Sequence, residues 1–412
     1  MKTHFKKLLF AGIFATFFSC DTEENLPLID EQTQTIESNS IDPRFISYLQ
    51  KIGFKDIPLS EIHESENGYV VEGDISFSKA ELIKIYDEME KLQGKNLQWR
   101  YNTMVTTPAN QITTFKYKFD SSIPSSIRTS VNQAFAHWNS IRNYKLKFQE
   151  VSSGSYNTLI TNNPDYPGAY AEARLPISTS GSSGTVGNIM RIDINLFNGI
   201  LPAQQVYIIA HEIGHLVGLR HSDSSASSQH ILIPGTYTID PNSIMNSGSF
   251  PVPSWTNFHY LDLLAIRYYY SYDTSEKPFY AYVSTNSGWG NWTTNWTTYE
   301  YGDSQYTYWG VNGYIYTSPK SGTVPIYKYT HVTGTPYKSI DPNIDVNYPS
   351  FTKNGILGHV YTSNGPSRTP VYEWYNPNVG YFFTTNAVDG YVQGPGWTTG
   401  GTAFYVMSLG TL

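Results

Sequence analysis

One stretch of eleven residues constrains this chain more than any other: His211-Glu212-Ile213-Gly214-His215-Leu216-Val217-Gly218-Leu219-Arg220-His221. On a helix, positions four apart are turned by ~40° and raised ~6 Å, so His211 and His215 share a face and can bind one ion. Glu212 is turned ~100° from His211, which sets it beside that ion and leaves it free to act as a base. Gly218 can adopt the left-handed conformation that ends a helix and swings His221 back to the same point. Three neutral imidazoles with an open fourth position describe catalytic zinc, whereas a fourth protein ligand would describe a structural site. Two histidines four apart can also arise by chance on a helix, but the full string with its glycine and third histidine leaves that reading little room.

Cysteine cannot contribute to such a site, because Cys20 is the only one in 412 residues. Disulfide scaffolds, cysteine metal sites and a cysteine latch are excluded with it. A net charge of -7, without a Lys/Arg run after the first few residues, argues against nucleic acid or an anionic membrane surface as partner. Aromatic residues at 15% against 15% charged ones permit sizeable cores, and the length suggests two or three domains at ~150 residues each.

Residues 1–20 read as an address. Met1 to Lys7 carries three lysines, and Leu8 to Phe18 is an apolar run too short to span a bilayer, as in the h-region of a secretory signal. Phe17-Phe18-Ser19-Cys20 resembles the lipobox of bacterial lipoproteins, which implies lipidation of Cys20 and an outer-membrane or cell-surface location. An ordinary signal with an incidental cysteine is the other reading. Residues 21–42, with Asp21, Glu23 and Glu24, read as a tether.

Three folded segments follow. Residues 43–100 form an α+β unit: Phe45, Tyr48, Leu49 and Ile52 are at helical spacing, Tyr69 to Ile75 reads as a strand, and Ala80 to Leu92 as an amphipathic helix. Residues 101–272 hold a helix over Ile127–Ile141, a Gly/Ser loop at 178–187, a strand over Met190–Leu196 and a helix over Pro202–Leu219. Residues 273–412 carry 18 of the 34 tyrosines and 6 of the 9 tryptophans. There Pro278-Phe279-Tyr280, Pro325-Ile326-Tyr327 and Pro370-Val371-Tyr372 recur at intervals of 47 and 45. Gly313-Tyr314-Ile315-Tyr316-Thr317-Ser318 matches Gly358-His359-Val360-Tyr361-Thr362-Ser363, with Gly401-Thr402-Ala403-Phe404 as a third copy. Three strand-rich copies are too few for a capped solenoid and suit a closed, threefold, β-trefoil-like structure.

The histidine string is that of the metzincin metalloproteases, and Ser243-Ile244-Met245-Asn246 resembles the Met-turn beneath their zinc. With Arg220-His221-Ser222-Asp223, Gly235-Thr236 and Asp262-Leu263-Leu264-Ala265-Ile266, the chain resembles more narrowly the bacterial HEIGH metallopeptidases of the myxobacterial protease B type, over about 110–272. The resemblance implies an α+β metzincin-like protease domain with one catalytic zinc ion on His211, His215 and His221. It implies Glu212 as general base, Met245 as the packing residue of the Met-turn, and protein or peptide substrates. A strand that pairs with extended substrate is also implied, for which Met190 to Ile194 is the candidate. Astacins carry Glu after the third histidine and Tyr two residues after the turn methionine. Ser222 and Ser247 stand here instead, so a tyrosine fifth ligand is unsupported.

Residues 43–100 then read as a pro-segment; the sequence does not fix where it is cleaved, with Gly94–Asn102 as a candidate stretch. Val71-Glu72-Gly73-Asp74 resembles the F-x-G-D of astacin propeptides, which implies Asp74 as a latency ligand; an ordinary aspartate at a strand end is the alternative. Thr369 to Thr385 resembles a repeat appended to bacterial secreted hydrolases, whose aromatic content suits either glycan or surface binding or simply a β-core. The expected function is a lipid-anchored zinc endopeptidase. A surface adhesin with a vestigial protease domain is the alternative, which an intact Glu212 disfavours.

Overall fold

The computed structural model describes residues 41–52, 54, 57–91, 104–176, 185–223, 233–236, 240–247, 252–285, 288, 290–294, 306–387, 392 and 394–409. The signal segment with Cys20, the tether as far as residue 40, the cleavage stretch and most of the Gly/Ser loop lie outside the described residues.

Helix α1 (Pro43–Lys51) begins where Asp42 accepts a hydrogen bond from the Arg44 N–H, with proline at the first turn. It buries Phe45, Tyr48 and Leu49 against β1 (Ile62–Glu64), β2 (Gly68–Val71), β3 (Ile75–Ser78) and α2 (Lys79–Lys91). The expected single strand over Tyr69–Ile75 is instead a hairpin, in which Val71 pairs with Ile75 around a turn at Glu72, Gly73 and Asp74. Glu72 and Gly73 hold φ of 55° and 90°, a reversal that alternating β-pattern residues conceal.

The next strands are β4 (Thr113–Phe119), β5 (Leu146–Glu150), β6 (Thr158–Asn162), β7 (Ala171–Arg174) and β8 (Ile189–Ile192). They continue the first three in one sheet of order β1-β2-β3-β7-β8-β6-β4-β5. Strands β4, β5, β6 and β8 are parallel, and β7 runs antiparallel to β8. Strand β3 pairs with the other side of β7, Ile75 with Ala173 and Ser76 with Arg174. Two expectations change here. The strand from Met190 stops at Ile192, because the Asp193 side chain caps a short helix, α4 (Ile194–Phe197). With β6 and β7 on its two sides, β8 cannot receive a substrate chain, and the strand at the boundary of the unit is β7.

Helix α3 (Ser125–Ser140) buries Ile127, Val131, Ala134, Phe135 and Trp138, the stripe that its sequence period predicts. It packs on α5 (Pro202–Val217), where Ser130 Oγ donates to Gln205 Oε1 at 2.6 Å and Trp138 Nε1 donates to the Ala210 carbonyl at 3.0 Å. Trp138 thus packs directly on the helix that carries the histidines.

Helix α6 (Tyr260–Tyr270) leads into an all-β part. Its strands are β9 (Glu276–Ser284), β10 (Gly290–Thr293), β11 (Tyr306–Tyr316), β12 (Thr323–His331), β13 (Pro336–Ser339), β14 (Phe351–Tyr361), β15 (Arg368–Asn376), β16 (Gly380–Thr384) and β17 (Thr398–Met407). Strand β9 pairs with β11, β12 with β14 and β15 with β17. The three long partners also pair with one another, at Tyr316–His359, Tyr361–Tyr405 and Tyr314–Met407. Phe279, Ile326 and Val371, from the recurring Pro-x-Tyr units, are all fully buried. The glycine repeat needs a correction. Ile326 faces Gly358 while Val371 faces Phe404, so Phe404 holds the place of Gly358, and Gly401 holds that of Gly355. Gly310, Gly355 and Gly401 all have positive φ where the strands bulge.

This part is fastened to α6 by an apolar cluster of Leu261, Leu264, Tyr280, Tyr282, Val311, Tyr314, Tyr316 and Met407. Beside it Arg142 makes a bidentate pair with the buried Glu276, at 2.7 and 2.5 Å.

Trp138→Ala should cost about 3–5 kcal/mol, seen as a lower urea midpoint with an unchanged slope. A loss below 1 kcal/mol would show that the contact between α3 and α5 does not hold the histidine helix.

Candidate active site

Thirteen consecutive residues of α5, Gln205–Val217, are buried, because one face meets α3 and the other the turn around Met245. The helix ends as the sequence requires. Gly218 has φ of 104°, and the Leu219 N–H donates back to the Gly214 carbonyl at 2.9 Å, which turns the chain so that His221 returns beside the helix. Gly214 has a second, steric reason to be glycine: a Cβ there would lie 2.3 Å from Met245 Sδ. Met245 therefore packs against the α5 backbone at Gly214.

The three Nε2 atoms converge. His211 to His215 is 3.0 Å, His211 to His221 is 3.2 Å and His215 to His221 is 3.3 Å. Their other ring nitrogens explain why. His211 Nδ1 lies 2.7 Å from the Ile244 carbonyl and His215 Nδ1 lies 2.9 Å from the Leu219 carbonyl. A carbonyl can only accept, so both imidazoles carry their proton on Nδ1 and aim a bare Nε2 lone pair at one point. Burial pushes His215 down to about 4, so its ring is neutral, as a metal ligand must be. Converging lone pairs repel unless a cation lies between them. Donors arranged tetrahedrally about zinc at about 2.0–2.1 Å stand about 3.3 Å apart, so this donor set fits one zinc ion.

Asp74 closes the set. Its Oδ2 is 3.1 Å from His221 Nε2 and 3.4 Å from His211 Nε2, and its Oδ1 is 3.6 Å from His215 Nε2. These four residues form a cluster of metal-ligand type. Burial alone would raise the Asp74 carboxyl, but the charge of His221 and the closeness of the three imidazoles outweigh it and hold the group well below the usual range. The backbone fixes its position, since the Ala173 N–H of β7 donates to the Asp74 carbonyl at 3.0 Å. Glu212 is also buried in this pocket, and burial followed by the charge of Asp74 holds its carboxyl well above the usual range. A dication among the imidazoles would reverse that balance.

Several neighbours of the histidines take up roles that the sequence motifs do not assign. Glu72 Oε2 lies 3.1 Å from His221 Nδ1. Arg220, between the helix cap and His221, donates to the Ile52 carbonyl and stacks 4.0 Å from the Phe54 ring, and burial pushes its pKa down to about 10. Asp262 holds the Met-turn: Ser243 Oγ donates to it at 2.9 Å and the Ile244 N–H at 3.2 Å, in a pocket whose burial pushes its pKa up to about 6. Glu172 of β7 pairs with Arg191 at 2.6 Å and accepts from the Asp165 N–H at 2.9 Å, which shapes the loop after β6. Ser222 extends the same support, its N–H donating to the Met245 carbonyl at 2.9 Å and its hydroxyl to Asn246 Oδ1 at 2.6 Å. Cys20 lies outside the described residues.

Residues 69–270 match the family described as dual-action HEIGH metallo-peptidases, and residues 342–407 match a domain of unknown function. Among solved structures, myroilysin is 14% identical, with 40% of this chain and 82% of that one covered and a TM-score of 0.29. High choriolytic enzyme 1, a hatching-enzyme zinc-protease from the medaka fish Oryzias latipes, is 16% identical, with 40% and 93% covered and a TM-score of 0.27. A search of curated proteins finds no match. The family match spans the hairpin with Asp74, the histidine helix and the Met-turn together. Residues 69–270 form a HEIGH metallopeptidase domain, and the chain is a zinc metallopeptidase.

Proposed function

We propose that this chain is the latent precursor of an exported, lipid-anchored endopeptidase, with residues 43–100 as pro-segment, 101–272 as catalytic domain and 273–412 as a surface-targeting module. The observation that carries the proposal is Asp74, which lies within 3.1–3.6 Å of all three histidine Nε2 atoms, where an open enzyme would admit water. The same hairpin lays β3 along β7, the strand at which an extended peptide could pair. One segment thus covers both the fourth ligand position and the backbone-pairing edge.

Zinc bound by His211, His215 and His221 supplies Lewis-acid polarisation of a peptide carbonyl and acidifies water. The residues of the chain do the rest. With the pro-segment gone, β7 offers its backbone groups to an extended substrate and sets the scissile carbonyl over the histidines. Glu212 takes a proton from the attacking water as its oxygen bonds to the carbonyl carbon. It then delivers that proton to the amine as the C–N bond breaks. The Ile244 and Leu219 carbonyls keep His211 and His215 in the required tautomer throughout.

We read the all-β part as a threefold, trefoil-like repeat. The mutual pairing of β11, β14 and β17 and the equivalent bulge glycines 310, 355 and 401 support this. Among the described residues many of its aromatics are core, including Phe279, Trp292, Phe382, Phe383 and Phe404. A glycan-binding role therefore rests on the exposed Trp309, Tyr348 and Tyr375. Export and anchoring rest on the apolar run before Cys20. The adhesin alternative has less support, since a decayed enzyme has no reason to keep three convergent imidazoles with a buried carboxyl beside them.

Glu212→Gln in the cleaved protein should lower peptide hydrolysis by about 10²–10⁴-fold with zinc content unchanged, and activity equal to wild type would end the general-base assignment. Asp74→Ala should make the uncut chain hydrolyse casein in a chelator-sensitive way, whereas an uncut variant as silent as wild type would end the latency assignment. On a glycan array, the Glu212→Gln full chain should bind at millimolar sugar and lose binding with Trp309→Ala, Tyr348→Ala or Tyr375→Ala; no binding would leave the module a scaffold.

A further inference from the structure

The three histidines are oriented by different parts of the chain. His211 and His215 are held from behind by the Ile244 and Leu219 carbonyls, both from the segment that follows residue 200. Behind His221 stands Glu72 of the β2–β3 hairpin, its Oε2 at an ion-pair distance of 3.1 Å from Nδ1. The same hairpin turn presents Asp74 to the opposite nitrogen of that ring, so the His221 imidazole lies between two carboxylates, each 3.1 Å away.

The turn is built to deliver both. Glu72 at φ of 55° and Gly73 at 90° bend the chain through one residue between the two acids. The Glu72 N–H donates to the Glu61 carbonyl at 3.0 Å, and the Asp74 carbonyl accepts from Ala173 at 3.0 Å, so each end of the turn is tied to a strand or to its neighbouring segment. The Glu72 side chain is 12% exposed and that of His221 is fully buried, which removes the contact from competition with bulk water. The guanidinium of Arg220, itself bonded to the Ile52 carbonyl, lies close enough to feel the Glu72 charge. A carboxylate behind a ligand imidazole fixes the ring and strengthens it as a donor, and loss of such a partner typically costs 10–100-fold in metal affinity.

We propose that Glu72 is a positioning residue for the metal: it completes the support of His221 in the uncut chain, so that the precursor retains zinc more tightly than the cleaved enzyme does. Removal of the hairpin then takes away two things in one event, the carboxylate in the fourth position and the one behind the third histidine. This rests on the reading of residues 43–100 as a pro-segment, and it assigns Glu72 a role separate from that of Asp74. Asp74 blocks the site. Glu72 loads it.

The test measures zinc, not hydrolysis. Full-length chain is equilibrated with zinc and a chromogenic chelator, and its zinc affinity is read for wild type, Glu72→Ala and the isosteric Glu72→Gln. Apo-protein melting temperatures control for folding. Glu72→Ala should bind zinc 10–100-fold more weakly, Glu72→Gln should fall between the two, and both should stay hydrolytically silent because Asp74 is intact. Zinc affinity within twofold of wild type in Glu72→Gln, or in a Glu72→Ala protein that melts normally, would overturn the proposal. The two readings separate cleanly: a silent uncut Asp74→Ala chain ends the latency reading, while the zinc affinity of the Glu72 variants still decides this one.

Discussion

The constraint on which the catalytic half depends is the convergence of three imidazole nitrogens on one point inside a buried pocket. Left to themselves these lone pairs repel, so the protein must pin each ring from behind. Two rings are pinned by backbone carbonyls, and the cost of presenting those carbonyls shapes the surrounding chain. The Ile244 carbonyl reaches His211 only because the Met-turn passes directly under α5, and the turn is held there by Asp262 through Ser243 and the Ile244 N–H. The Leu219 carbonyl reaches His215 only because Gly218 reverses the chain. Even Gly214, which binds nothing, is set by this geometry, since any side chain there would collide with Met245.

The second organising feature is continuity of the sheet. Strand β7 runs antiparallel to the rest of the catalytic sheet, and an edge of this kind leaves a row of unpaired donors and acceptors. Strand β3 supplies the missing partner, and Leu175, just past β7, is buried in the core that α1, α2 and the hairpin share. The N-terminal layer is thus a separate hydrophobic core joined to the catalytic one along a single strand. Hydrogen bonds cross this seam, which suits the proposed reading of the segment as a removable one. Glu81 to Asn188 at 2.7 Å and Asn67 to Asp165 at 3.0 Å are examples.

How much of this the sequence discloses follows from the range of each interaction. The histidine helix is legible because a helical repeat, a glycine cap and a fixed spacing are local. The stripes of α1 and α3 are legible for the same reason. The position of Asp74 is legible only through its resemblance to a propeptide motif, and Glu72 not at all, because a single glutamate in a turn has no pattern of its own. The hairpin at 72–74 hides inside an unbroken β-like run. The order of strands in the sheet, which places β8 between β6 and β7, depends on long-range pairing that periodicity does not encode. The repeat at the C-terminus shows both sides of this. Its proline–tyrosine units are visible at once, yet the third glycine is offset by three residues, because Gly401 marks a bulge while Phe404 fills the place of a glycine.

The Arg142–Glu276 pair bears on how the all-β part can work. Its residues are 134 positions apart, Glu276 is buried, and Arg267 reaches across the same seam to the Leu409 carbonyl. Removing either partner of such a pair leaves a charge stranded in a medium that solvates it poorly, at a cost of about 3–5 kcal/mol. Loop residues of the catalytic half share in the junction, with Tyr308 donating to the Gly235 carbonyl at 2.8 Å. A module held this way is not a flexible appendage that samples a surface independently. Under the proposed targeting role, whatever it binds would be presented to the zinc site at a fixed bearing, and that would select which peptide bonds come within reach of β7.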